Sequence, residues 1–196
     1  MDGTLLGFVI LQVFTCASCL PNGAPVSTCV DMMPRHTGVQ PQPTPAPYTI
    51  HTGSTSLQTG KPITVVIKGP DYHGVLLEAR SGSDTTAIGT WQTPPANTKL
   101  LQCAENLQGA ITHANTNTKD NSTVYTWTPP ATANSVYFVA TVAQQRTVYW
   151  LNVKSANLIK KKGMSTHAMY LFQFLIFNKC AKLSQIIFCF IIISVD

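Results

Sequence analysis

The sequence predicts an all-β sandwich for the central part of the chain, residues 22–158. Short runs of β-branched and aliphatic residues recur there, and Gly, Pro, Asn or Asp residues bound them. Turn signals come roughly every ten residues, a spacing typical of sandwich strands. The sequence of this part shows no helical period of apolar residues over about ten positions. Its length, about 135 residues, suffices for one sandwich core and is too short for two domains.

Seven segments are predicted as strands. They are residues 62–69, 74–80, 87–92, 99–103, 122–127, 135–143 and 147–153. Both alternating faces of segment 135–143 are fairly apolar, which favours a strand inside the sandwich. Ahead of these strands, "VQPQPTPAPY" (39–48) alternates proline with small or polar residues, so we expect an extended, polyproline-like conformation there.

The first nineteen residues have the features of a secretory signal peptide. Leu5–Val13 is an apolar run too short to span a bilayer, and small residues follow at Ala17 and Ser18. Such a signal usually begins with a positively charged region, and this chain differs because it has Asp2 and no early Lys or Arg. The expected organisation is a signal peptide at 1–19, a folded domain at 20–159 and an atypical hydrophobic tail at 160–196. The protein is therefore expected to be secreted and extracellular.

Two of the six cysteines, Cys29 and Cys103, lie in the expected folded domain. The other four lie in the signal peptide or the tail. In an oxidising compartment Cys29 and Cys103 most simply form one disulfide. The chain-entropy estimate credits the long loop that this bond closes with roughly 4–5 kcal/mol.

A soft-metal site is the competing interpretation of "NGAPVSTCVDMMPRH" (22–36), because sulfur and imidazole together suit copper. A disulfide sulfur is not a thiolate, so Met32, Met33 and His36 would lack their best partner. Two methionines in such a setting more often fill a core. We expect no metal and no cofactor.

The tail contains two apolar runs, 169–177 and 186–195, separated by "NKCAKLSQ". A spanning helix needs about twenty mostly apolar residues, and Lys179 and Lys182 would lie near its middle. A poorly structured, appended end is therefore predicted. The alternative is a weak membrane anchor, and a membrane partner enters only in that case.

Several stretches resemble the reeler domain family and occur in that family's order. They are "NGAPVSTCVDMMPRHTG", "ITVVIKG", "GVLLEAR", "IGTWQ", Cys103, "ITHANTNTKDNSTVYTWTPP" and "SVYFVATVAQQRTVYWLNV". Reeler domains stand at the N-termini of reelin and spondin-like matrix proteins and occur in ferric-chelate reductase-like membrane proteins. They also form small secreted insect defence proteins, whose layout of a signal and one domain is closest to this chain.

The resemblance implies an immunoglobulin-like antiparallel β-sandwich in which Cys29 is joined to Cys103. It also implies a secreted innate-immune defence protein that binds microbial surfaces, with antimicrobial action as a further expectation. Two alternatives stay open. One is an extracellular matrix or adhesion module that binds sulfated glycans, and the other is a membrane-attached reeler protein related to the ferric-chelate reductase-like proteins.

The residues of the domain do not indicate an enzyme. Its histidines are His36, His51, His73 and His113. They form no HExxH or HxH pair, and the sequence has no GxSxG nucleophile elbow. Glu78 and Glu105 have no paired carboxylate at motif spacing. His113 is expected to make a hydrogen bond at a strand end rather than to transfer a proton.

The charge balance argues against a nucleic-acid partner. Between residues 20 and 159, eight basic side chains stand against six acidic ones, whereas a nucleic-acid binder would show a clustered basic patch. The expected partners are microbial cell-surface components or anionic glycans. Asn121 begins the one N-glycosylation sequon and falls in a polar loop. The sequence assigns no ligand-binding residue.

Overall fold

The computed structural model describes residues 20–161, which form eleven β-strands and a short 3₁₀ turn at Val26–Thr28. The strands are β1 (Thr49–Thr52), β2 (Ser56–Leu57), β3 (Ile63–Lys68), β4 (Gly74–Arg80), β5 (Thr90–Trp91), β6 (Thr98–Cys103), β7 (Asn106–His113), β8 (Val124–Thr128), β9 (Ser135–Gln145), β10 (Val148–Lys154) and β11 (Leu158–Lys160). Within this range no helix is long and apolar enough to cross a membrane. The predicted signal peptide (1–19) and residues 162–196 of the predicted tail lie outside the described residues.

Two sheets build the domain. The smaller sheet has four strands in the order β1-β3-β8-β5, and all neighbours are antiparallel. The larger sheet has seven strands, with β2-β11-β9-β4-β7-β6 along its main path and β10 paired with β9. Among the described strands only β2 and β11 pair in parallel. The expected immunoglobulin-like antiparallel sandwich with one disulfide is confirmed.

Aromatic side chains fill the space between the two sheets. Trp91, Trp127 and Phe138 are fully buried there. The rings of Trp127 and Phe138 meet edge to face with centroids 5.2 Å apart, which suits the quadrupoles of both rings. Trp127 Nε1–H donates to the carbonyl of Ile88 at 3.0 Å, so the buried indole nitrogen keeps a partner. These rings form the main apolar link between the sheets.

A second apolar layer lies on the outer face of the larger sheet. Its buried members are Cys29, Met32, Leu76, Ala87, Leu101, Cys103, Ala110 and Val139. Cys29 and Met32 belong to residues 20–36, named here the N-terminal segment, which contains no strand. Strands β4 and β9 are therefore buried on both faces, since the interior core lies on one side and this segment on the other. This explains why both faces of 135–143 are apolar.

The predicted strand segments agree with the structure in different degrees. Each of the seven overlaps an observed strand, and β4 coincides with the predicted 74–80. The predicted segment 87–92 is reduced to Thr90–Trp91. The residue before it, Gly89, has a φ of 70°, which lies outside extended strand geometry and delays the start of the strand.

Four strands fall outside the seven predicted segments: β1, β2, β7 and β11. Of β7, the sequence indicated only a strand end at His113. The turn before β7 has no glycine or proline to mark it, because Ala104 and Glu105 themselves adopt positive φ angles of 51° and 61°. The strand then begins with Asn106, and asparagine is depleted in strands. Pairing with β4 and β6 determines that β7 is extended.

We expect Thr141→Val to lower the free energy of unfolding by about 1–3 kcal/mol. Thr141 is buried on β9, and its hydroxyl donates to the carbonyl of Met32 at 2.6 Å. Valine has a similar shape and would leave that carbonyl without its donor. Thr64→Val, at an exposed position of β3, is the matched control and should stay within about 0.5 kcal/mol. Equal losses in urea unfolding would contradict this role of Thr141.

Candidate functional site

Side chains of the larger sheet hold the N-terminal segment in place. Thr112 Oγ1 accepts the N–H of Ala24 at 2.8 Å. His113 Nε2–H donates to the carbonyl of Leu20 at 2.9 Å. An irregular segment cannot pair its own backbone groups as a strand does, so these side chains supply partners for them. The sheet thereby fixes the path of a segment that has no secondary structure beyond one short turn.

The disulfide between Cys29 and Cys103 joins the same segment to the end of β6. Its two Cα atoms are 5.7 Å apart, and 74 positions of sequence separate the cysteines. Because both sulfurs are used in this bond, neither is available as a thiolate. Glu78 Oε1 lies 3.5 Å from the Cys103 sulfur, so three ligand-type atoms meet at this point. With the disulfide formed, the cluster supplies only the carboxylate to a metal ion.

The remaining residues of the soft-metal interpretation are engaged in separate contacts. Met32 is buried in the second apolar layer. Met33 Sδ accepts a hydrogen bond from the Tyr149 hydroxyl at 3.6 Å. His36 Nδ1–H donates to the carbonyl of Arg146 at 2.8 Å. The absence of a bound metal stays a prediction, and these contacts give each of the three side chains a structural role.

Beside the disulfide lies a buried ion pair between Glu78 and Arg80. Arg80 donates from Nε and Nη2 to Glu78 Oε2 at 3.0 and 2.8 Å. The same Nη2 donates to the carbonyl of Cys29 at 2.6 Å, so the pair also holds the N-terminal segment. Burial raises the pKa of Glu78 to about 7, and the Arg80 guanidinium opposes this rise.

Sequence reasoning missed this ion pair, although a signal for it was present. Glu78 and Arg80 are two positions apart on one strand, so their side chains point to the same face. Every residue of β4 from Val75 to Arg80 is buried. Two opposite charges on one buried face have to be paired with each other or with other polar groups.

An apolar cavity of about 110 Å³ lies between the N-terminal segment and the larger sheet. Leu20, Ala24 and Met32 line it from the segment, and Val75 and Ala143 line it from the sheet. His36, His73 and His113 also border it. The sequence singled out these histidines without bringing them together, because they lie far apart along the chain. His51 is not among the residues around the cavity and lies exposed on β1.

His113 occupies the inner part of this site in its neutral form. Its Nε2–H donates to the carbonyl of Leu20, so Nδ1 is free to accept the N–H of Val75 at 3.3 Å. Burial lowers the pKa of His113, because the charged imidazolium would lose hydration there. His113 is the last residue of β7, where the sequence predicted a hydrogen-bonded strand end.

Lys119 organises the loop that follows β7. Its ammonium group donates to the carbonyls of His73, Asn115 and Asn117 at 2.8, 3.1 and 2.7 Å. The residue is buried, and burial lowers its pKa to about 8. Lys119 therefore closes a loop and adds little to the charge of the surface. The sequence indicated only a polar loop here. The three carbonyls that Lys119 bonds come from different parts of the chain, so their convergence on one side chain cannot be seen in the sequence.

Comparison with known proteins identifies the family. The family model described as "Reeler domain" matches residues 27–166. The chain belongs to the reeler family. The resemblance inferred from its motifs is thereby confirmed.

Two insect relatives of this reeler protein carry defence names. It is 39% identical over 153 residues to "Putative defense protein 3" of Antheraea mylitta, covering 75% of this chain and 90% of that protein. It is 41% identical over 158 residues to "Putative defense protein Hdd11" of Hyphantria cunea, covering 76% and 93%. The crystal structure of the human F-spondin reeler domain aligns with a TM-score of 0.49 at 16% identity, over 64% of this chain and 96% of that one.

The sequon of the reeler domain lies on its surface. Asn121 is exposed, and its Oδ1 accepts the N–H of Gly69 at 3.0 Å. Asp120 accepts the N–H of Ser122 at 2.8 Å, which forms a tight turn at this position. An exposed turn is a sterically open position for a glycan, and glycosylation of Asn121 stays a prediction.

Removing the disulfide should destabilise the reeler domain strongly. We expect Cys29→Ser combined with Cys103→Ser to lower the free energy of unfolding by roughly 2–5 kcal/mol, since the cross-link restricts the unfolded chain. His36→Ala is the comparison variant and should cost far less, because it removes one partly exposed hydrogen bond and an edge contact with the ring of Tyr149. Urea unfolding and non-reducing peptide mapping check these expectations. Free thiols at both positions in the wild-type protein, or stoichiometric copper lost on His36→Ala, would overturn them.

Glu78 should make the stability of the domain depend on pH. Its pKa is raised from 4.5 to about 7 on folding, so the folded protein keeps a proton that the unfolded chain has lost. The free energy of unfolding should therefore fall as pH rises from about 4.5 to about 7, by at most about 1.4 kcal/mol per pH unit. His113 acts in the opposite sense, because its pKa is lowered in the folded state. Its contribution to stability is lost as pH falls below about 6.5.

Comparison with the Glu78→Gln variant separates the pH dependence of stability due to the Glu78 carboxylate from that due to His113. Both proteins retain His113, so its effect cancels in the difference between their unfolding free energies. The stability of the wild type relative to the variant should fall between pH 4.5 and 7 and then level off. Parallel pH profiles of the two proteins would show that Glu78 does not titrate in this range.

Proposed function

We propose that this reeler protein is a secreted innate-immune defence protein that binds microbial surfaces without catalysing a reaction. The observation that carries the proposal is the match to insect proteins named as defence proteins, which this chain covers over 90% and 93% of their length. Those names indicate a defence role. Binding to microbes, antimicrobial action and secretion are the steps that we add.

Exposed basic residues support attraction to anionic envelopes. Arg80 and Lys119 are buried, and Arg35 pairs with Asp31 at 2.9 Å, so these cations are already used within the protein. The other cations of the described range are all exposed or half-exposed; they are Lys61, Lys68, Lys99, Arg146, Lys154, Lys160 and Lys161. Spread charges of this kind give weak contacts that add over a large anionic surface and weaken with salt.

The positions of the titratable groups with shifted pKa values support a non-catalytic role. Glu78 is bonded to Arg80 in a buried layer, and Lys119 is bonded to three carbonyls. Neither residue borders the cavity. His113, whose pKa is also lowered, does border it, and each of its ring nitrogens has a hydrogen-bond partner within the protein. A general acid or base has to reach a reacting group, and all three of these groups are already bonded to other groups of the protein.

A matrix or adhesion module that binds sulfated glycans is the second candidate. The same exposed cations support it, because sulfate groups are anionic as envelope polymers are. A membrane-attached form depends on the tail, most of which lies outside the described residues. Neither the described fold nor the exposed charges favour these candidates over a defence protein.

The full-length protein, secreted from insect cells, should sediment with bacteria or with purified envelope polysaccharide. Lys61→Glu combined with Lys161→Glu should weaken binding several-fold at low salt, because both lysines are exposed. Lys61→Arg combined with Lys161→Arg keeps the charge and should bind as the wild type does. No binding across a broad panel of bacteria and fungi would count against the proposal. Retention on heparin at high salt together with that result would favour the matrix module.

A further inference from the structure

The cavity between the N-terminal segment and the larger sheet has the properties of a binding site for an aliphatic group. Its lining is almost wholly apolar and includes Leu20, Pro21, Ala24, Met32, Val75 and Ala143. Its volume is about 110 Å³, whereas an apolar protein cavity of roughly 150 Å³ stays dry and binds benzene. A segment of a few carbon atoms therefore fits.

Three polar side chains around the cavity, those of Thr28, Thr141 and His113, are already paired within the protein. Thr141 donates to the carbonyl of Met32, and Thr28 donates to the carbonyl of Pro25 at 2.7 Å. His113 has partners at both ring nitrogens, as described above. Water needs two to four polar partners to occupy a cavity, and the donors of these three side chains are already used within the protein. An apolar ligand therefore faces little competition from water.

One charged residue, a cation, is among the described residues that line the cavity. Arg146, an exposed residue of the turn between β9 and β10, is among the lining residues. The other titratable lining residues are the three histidines, and no Asp or Glu of the described range lines the cavity. An anionic group at the edge of the cavity would therefore lie beside one cationic residue and beside no carboxylate of the described range.

We propose that this cavity binds a free medium-chain fatty acid, with the end of the aliphatic chain inside and the carboxylate beside Arg146. The apolar lining selects the chain, and the position of Arg146 selects an anionic head group over a neutral or cationic one. The inference rests on the cavity alone and does not require that the protein binds microbes.

Calorimetric titration of the full-length protein with sodium decanoate tests this site. Decanoate should bind, decanol should bind more weakly, and decyltrimethylammonium should bind weakest, since all three share the chain and differ in the head group. Ala143→Leu fills the cavity and should weaken decanoate binding by about tenfold or more. Ala131→Leu, at an exposed position that does not line the cavity, is the matched control and should leave binding unchanged.

The position of the ligand's carboxylate is tested with the variant Arg146→Gln. The control is Lys61→Gln, because Lys61 is exposed and does not line the cavity. Arg146→Gln should weaken binding of decanoate roughly two- to fivefold and leave binding of decanol unchanged. Lys61→Gln should affect neither. Equal effects of the two variants on decanoate would contradict the assigned place of the carboxylate.

A measurement on the wild-type protein avoids any dependence on the folding of variants. Met32 lines the cavity, so the NMR signal of its methyl group should shift on addition of decanoate. No binding of decanoate, or binding that leaves this signal and the Ala143→Leu variant unaffected, would overturn the proposal. Binding to phosphatidylglycerol vesicles that Ala143→Leu abolishes, without binding of decanoate, would also overturn it, because the ligand would then be a membrane lipid.

Discussion

The attachment of residues 20–36 to the outer face of the larger sheet is the constraint on which the rest of the structure depends. This segment covers Leu76 and Val139, which would otherwise be exposed on β4 and β9. Ordering a segment without strand pairing costs roughly 1–2 kcal/mol of backbone entropy per residue. The disulfide at Cys29 offsets part of this cost by restricting the unfolded chain. Side-chain hydrogen bonds from the sheet then give the segment one path.

Buried charged side chains are used in this domain to hold irregular backbone. Arg80 bridges Glu78 and the carbonyl of Cys29, and Lys119 ties the loop after β7. Such charges are costly to bury and are tolerated only when they are fully paired. A count of basic residues in the sequence therefore overstates the positive charge that reaches the surface, which bears on any binding that relies on electrostatic attraction.

The two features that a ligand would meet on this reeler domain differ in kind. The exposed lysines are distributed over strands and loops, so they favour extended anionic partners and confer little selectivity. The cavity is small and apolar and has Arg146 among its lining residues, so under our proposal it would select a ligand by shape and by the sign of one charge. The N-terminal segment forms one wall of that cavity, which means that the disulfide and the hydrogen bonds of Thr141 and His113 also determine its form.

The sequence by itself determined the class of fold, the family and the disulfide. Runs of aliphatic residues bounded by turn residues, such as 74–80, and two cysteines in an expected export context are local signals that can be recognised without knowledge of the packing. Only the tertiary structure decided that β7 is a strand, that Glu78 is paired beside the disulfide and that His36, His73 and His113 border one cavity. Each of these depends on groups brought together from distant parts of the chain. Sequence spacing does not encode such distances, because sheet order and the path of an irregular segment are set by packing over the whole domain.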